Sequence, residues 1–188
     1  SFLHHYHLGR NYTNFAELKK YHQGIICLIG YRAGKLYDDL ARNQYDNATN
    51  LTQKYLEIFK DHLYLEISRL NYEDEKITEP LILKLAKENN IPIVATNDVR
   101  YESYQMHEAQ DILTCIATNK YFDDPKRAKS SHEHYFKNQR SIIELFKDLP
   151  EATENSVKIA KKCSFFPTEE EPSLPKFAGS KDENEELK

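Results

Sequence analysis

An α/β fold with a parallel sheet is what this sequence predicts, on three observations. Two short apolar runs, GIICLIG (24–30) and IPIVAT (91–96), lack the polar alternation of a strand with one wet face, so they read as strands buried on both faces. Stretches with helical spacing of apolar residues separate the runs, giving strand and helix in alternation. The run at 91–96 stops at Asn97 and Asp98, and in such folds the loops after strand C-termini carry the chemistry.

Each element has a local reason. Asn14, followed three residues later by Glu17, is a capping box for a short helix ending near Tyr21. Glycines 24 and 30 bound the first strand, and a helical turn follows Gly34. From about residue 46 to 60 a longer helix places Leu51, Tyr55 and Ile58 on one face. LYLEIS (63–68) alternates as a second strand. Residues 78–90, with Ile82, Leu85, Ala86 and Asn89 at helical spacing, precede the third strand at 91–96. A helix from 103 to 118, capped by Ser103, is expected to turn Ile112, Cys115 and Ile116 inward. YFDDPKR (121–127) forms turns, SIIELFKDL (141–149) a short helix, and Asp148 with Pro150 opens a last helix reaching Cys163.

With 188 residues and 39% hydrophobic content the chain is long enough for one sizeable core. No apolar run approaches the roughly 20 residues that cross a bilayer, and SFLHHYHLGR at the start has no signal-peptide character, so a cytoplasmic location is expected. Cys27, Cys115 and Cys163, odd in number and set in apolar contexts, read as core residues of a reducing compartment. The net charge of −4 resides wholly in the tail. From residue 166 onward seven acids face three lysines, whereas the first 165 residues balance at 23 against 23. A surface that holds DNA by neutralising phosphates shows a basic excess, so direct duplex binding is disfavoured.

Five motifs in order and spacing, GIICLIGYRAGKL, YLEIFKDHLYLEI, IPIVATNDVRY, DDPKR and ELFKDLPEATENSVKIAKKC, resemble the bacterial DNA polymerase III alpha-subunit family, in the second half of its polymerase-and-histidinol-phosphatase (PHP) domain. The resemblance implies a partial PHP-type distorted (βα)7 barrel whose N-terminal half is absent from this chain. Residues 1–165 would form the C-terminal half of the PHP domain, and the acidic, proline-containing residues 166–188 a linker toward the polymerase palm. It also implies a part in a replicative DNA-directed DNA polymerase, a nucleotidyltransferase. Magnesium would serve that activity elsewhere, and DNA would be bound through other domains. The paired carboxylates and basic cleft of polymerisation cannot be identified here, so this segment by itself is expected not to be catalytic.

The resemblance bears on Asp98. Family members with an intact metal site read Asn-Asp-Val-His where this chain reads NDVR, which puts Arg100 at a ligand position, and Tyr31 stands where they carry a cysteine. A guanidinium offers no lone pair, and a neutral phenol is a poor substitute for a thiolate. Tyr31, Asp98 and Arg100 are therefore expected to be vestiges of a metal site, with no metal or other cofactor in this segment. Isolated acids at element ends more often cap or pair than bind metal, and an Arg100–Asp98 contact would fit that reading. His132 and His134 could bind zinc from a strand, but they lie in a polar connection without a third ligand; His107 is expected to be solvated, and His4, His5 and His7 to bind metal only by chance. Tyr121, Phe122, Asp123, Asp124 and Arg127 combine aromatic and charged groups as protein interfaces do. By resemblance the partners are other polymerase III subunits, notably the proofreading exonuclease (epsilon) subunit, with the domain as scaffold. The competing expectation is an active metal-dependent phosphoesterase, a pyrophosphatase or 3'-5' exonuclease.

Overall fold

In the computed structural model, residues 6–7, 10–11, 13–127 and 129–169 are described. A minimal antiparallel ribbon, β1 (Tyr6–His7) with β2 (Arg10–Asn11), is followed by α1 (Phe15–Tyr21). The Asn14 side chain accepts the Glu17 N–H at 3.0 Å, the cap that the sequence predicts. A three-stranded parallel sheet comes next, in the order β3 (Cys27–Ile29), β4 (Leu63–Ser68), β5 (Ile93–Thr96).

Parallel strands need crossover connections. α2 (Lys35–Ala41) and α3 (Tyr45–Phe59) connect β3 to β4, and α4 (Glu75–Asn89) connects β4 to β5. The register pairs Ile29 with Leu65 and Leu65 with Ile93, so three aliphatic residues stand in one row across the sheet. Around that row Leu36, Leu40, Ile58, Phe59, Leu63, Ile67, Ile82, Leu85 and Phe146 make the apolar core. After β5 come α5 (His107–Thr118), α6 (Gln139–Leu145) and α7 (Pro150–Lys162). α7 packs on β5, where the buried Asn155 donates to the Ile93 carbonyl at 2.8 Å.

Several expectations are corrected. β4, read as alternating, is the central strand, with Leu63, Tyr64, Leu65 and Ile67 all buried, because it has a neighbour on each side. β3, read as buried on both faces, lies at a sheet edge; Ile29 is buried while Ile25 and Leu28 are exposed. α4 starts at Glu75 rather than 78. The Glu75 carboxylate accepts the Leu70 and Tyr72 N–H groups at 2.9 and 3.2 Å, folding the post-β4 loop onto the first turn. Asp148 does not cap α7. Leu149 holds that position, and Asp148 pairs with Arg69.

The largest correction concerns α5. A 3-10 turn (Tyr104–Met106) precedes it, and Ser103 makes no side-chain cap. Its buried residues are Asp111 and Cys115, whereas Ile112 and Ile116, expected inside, are 45% and 72% exposed. Asp111 decides the rotation. It is clamped by Arg127 through two hydrogen bonds of 2.6 Å, the paired side chains only 8% and 5% exposed, and turning Ile112 inward would break that clamp. Cys163 is exposed rather than in the core, and Cys27 is half-buried. His4, His5 and residues 170–188 of the expected linker lie outside the described residues, as does the side chain of His7.

Candidate functional site

The C-terminal ends of β3 and β5 bring Tyr31 and Asp98 together across the sheet. Gly30 makes this possible at the first strand. Its φ of +122° suits glycine, and a Cβ there would lie 2.5 Å from the Glu66 carbonyl oxygen. Asp98 itself has a φ of +37°, a conformation Asp tolerates better than most residues, and it bends the chain just beyond β5.

One carboxylate oxygen, Asp98 Oδ2, gathers the site. Arg100 Nη2 donates to it at 2.9 Å, the Tyr31 hydroxyl at 3.4 Å, and His134 Nδ1 lies at 3.4 Å. All three positions singled out from the sequence therefore meet, and the Arg100–Asp98 contact is present. Arg100 is 41% exposed on its outer side. Burial works against its charge, but the hydrogen bond to Asp98 and the pull of that carboxylate outweigh it and raise the Arg100 pKa, so the guanidinium beside Asp98 keeps its positive charge.

His134 was not expected here. It is buried, in a 3-10 turn rather than a strand. Nδ1 is 2.9 Å from the Asp98 carbonyl oxygen, which can only accept, so Nδ1 carries the proton and Nε2 is left to accept from the Tyr72 hydroxyl at 2.9 Å. The Tyr72 oxygen in turn accepts the Ser131 N–H at 3.0 Å. Burial lowers the His134 pKa, in keeping with a neutral ring. Neighbouring bonds join residues 97–101 to 131–137: Arg100 N–H to the His134 carbonyl (2.8 Å), Phe136 N–H to the Tyr101 carbonyl (2.9 Å), and Asn97 Nδ2 to the Tyr135 carbonyl (2.7 Å). Nor is His107 solvated. Its ring stacks on that of His132, centroids 3.6 Å apart, and Nε2 meets the Ser130 carbonyl at 3.0 Å.

A second acid stands at the mouth. Glu66, on β4, accepts from the Thr96 hydroxyl at 2.7 Å, and burial raises its pKa. The lone acid inside the apolar LYLEIS was the signal for it. Beside the mouth Arg32 stacks on the Tyr72 ring, 3.9 Å to the centroid, and pairs with Asp74 at 2.9 Å. Nothing in the local spacing of these residues announces that pairing.

These residues do not fit a divalent ion. Asp98 Oδ2 is already bonded to a guanidinium, and among the described residues no three His, Cys, Asp or Glu side chains converge as ligands. What the arrangement does is join three strand-end loops through hydrogen bonds. The other singled-out group lies after α5. Tyr121 and Phe122 are 84% and 48% exposed, Asp123 is exposed, and Asp124 accepts the Lys126 N–H at 2.8 Å. Arg127 points inward to Asp111 and holds the loop, donating to the Phe122 carbonyl at 2.8 Å.

Comparison with known proteins adds to this geometry. The family model for the PHP domain matches residues 1–70. The chain is 38% identical over 89% of its length to a DNA polymerase III subunit alpha of Rickettsia bellii and 36% identical over 86% to that of Borreliella burgdorferi. With the protein of the same name from Caulobacter vibrioides it is 30% identical over 91%. The chain spans about 14% of the length of the first two relatives.

Proposed function

This chain is homologous, over nearly nine tenths of its length, to a segment of the DNA polymerase III alpha subunits, and from that premise we propose that it serves as a metal-free PHP scaffold within such a replicative polymerase. Polymerisation, with its magnesium ions and its grip on DNA, belongs to other parts of the full protein. The described sheet is a portion of a distorted (βα)7 barrel, to be completed by strands along the open edge of β3. The exposed loop with Tyr121, Phe122 and Asp123 is the docking surface for the proofreading exonuclease subunit, and Asp124 and Arg127 shape it.

The observation that carries this reading is the Arg100–Asp98 pair. A fixed positive charge 2.9 Å from the carboxylate does the electrostatic work of a cation without offering a Lewis acid or a bound water for hydrolysis. Metal analysis of the purified full-length protein tests it: no stoichiometric zinc or manganese should depend on Asp98, and Asp98→Asn should leave the metal content unchanged. Stoichiometric metal lost in Asp98→Asn would establish the phosphoesterase instead. For docking, Tyr121→Ala with Phe122→Ala should weaken exonuclease-subunit binding at least 10-fold, given that buried aromatic anchors are typically worth about 2 kcal/mol or more. Unchanged affinity would remove the loop from the interface.

A further inference from the structure

Two imidazole rings stack where the segment leaving the docking loop returns to α5. His107, the first residue of that helix, and His132 have ring centroids 3.6 Å apart and planes at 23° to each other. His107 Nε2 is 3.0 Å from the Ser130 carbonyl oxygen, which only accepts, so the neutral ring carries its proton there and keeps a lone pair on Nδ1. The Tyr104 ring lies 5.2 Å from that of His132, and Tyr101 meets His107 edge-on at 6.0 Å. Two acids near the stack are already engaged: Asp111, one turn along α5, is held by Arg127, and Glu133 by Lys137 at 3.1 Å. Glu108 is exposed. Arg127 and Lys129 bring positive charge to the same neighbourhood, where both act with His107 on the Asp111 carboxylate. The start of a helix also disfavours a cation, because the positive ends of its amide dipoles point there.

We propose that the His107–His132 stack is a pH-sensitive fastener of the docking loop: neutral rings hold residues 130–132 on α5, and two charged rings push them off. The inference rests on the reading of residues 121–127 as a docking surface. Neutral aromatic rings gain from stacking, whereas two imidazolium ions at this separation repel, and Arg127 and Lys129 add to the repulsion. Histidine is the side chain whose ordinary change of charge lies between pH 5 and 8. The Asp111–Arg127 clamp stays closed throughout that range, since the Asp111 pKa is lowered from an already acidic value. His132 follows Arg127 closely in the chain, so its release loosens the limb that leaves the docking loop while the clamp still holds. A limb that must be ordered again when a partner lands weakens the binding of that partner.

The test compares the full-length protein with its His132→Phe variant, which keeps a flat ring on His107 and removes the charge. Hydrogen exchange of residues 129–134 should match in the two proteins at about pH 8 and be roughly 3-fold or more faster in the wild type at about pH 5.5. Taking the ratio of the two proteins at each pH cancels the intrinsic pH dependence of exchange and any response of His134, which both contain. Affinity for the exonuclease subunit should fall over the same range in the wild type relative to the variant. An exchange ratio that does not change with pH would overturn the proposal, and so would a changing exchange ratio with a constant ratio of affinities. Normal exonuclease binding by the Tyr121→Ala, Phe122→Ala protein would instead sink the docking reading, and with it the link to a partner, whereas the exchange ratio judges the fastener by itself.

Discussion

Arg100 and His134 bond to the same aspartate, yet they contribute differently. Arg100 is partly solvated, so its pair with Asp98 is screened, and Arg100→Ala should cost at most about 1 kcal/mol. His134 is buried and answers both the Asp98 carbonyl and the Tyr72 hydroxyl. His134→Ala should cost more, on the order of 2–3 kcal/mol, because each orphaned buried group carries its own desolvation penalty. Urea unfolding of the two variants decides the order, and a larger loss for Arg100→Ala would make the ion pair the main fastening. The asymmetry explains what could be read in advance. Asp98 and Arg100 are two residues apart and their opposite charges are visible in the sequence, whereas His134 reaches partners 36 and 62 residues away.

At the scale of elements, hydrophobic runs located all three strands of the sheet, but not which strand lay in the middle. That depends on neighbours, and a run of six residues carries no record of them. Periodicity located α5 and its buried Cys115 but put Ile112 and Ile116 inside, since an apolar stripe does not say which neighbour it meets. The buried Asp111–Arg127 pair fixed the rotation. Arg127 hydrogen bonds hold the Asp111 pKa below its usual value, so the stabilisation is complete above about pH 4 and is lost as pH falls through the lowered value. Pepsin digestion across that acidic range should show cleavage within residues 119–127 rising as pH drops. The Arg127→Ala protein should be cut there already at the upper end of the range; equal resistance in both proteins would mean that the clamp does not hold the loop. In α7, Asn155→Leu should cost about 1–3 kcal/mol in thermal unfolding by leaving the Ile93 carbonyl unanswered, and a neutral result would mean that the strand end finds another donor.

Across the molecule, one guanidinium links regions far apart in sequence. Arg69, at the end of β4, bonds to Glu79 on α4, to the Leu145 carbonyl ending α6 and to Asp148 before α7, while stacking on the buried Phe146 ring. Arg69→Met keeps much of the apolar stem and removes the charge. The expected loss is about 3 kcal/mol, since Glu79 is then left largely buried without its cation, and it is checked by chemical denaturation. A loss below about 1 kcal/mol would show that core packing alone holds α6 and α7 in place.

The exposed flank of β3 has a practical corollary. Among the described residues no strand borders it, and Ile25 and Leu28 lie uncovered beside it. Preparations of this chain should therefore turn cloudy at high protein concentration, by edge-to-edge zipping of neighbouring molecules, and a lysine at position 28 should clear them.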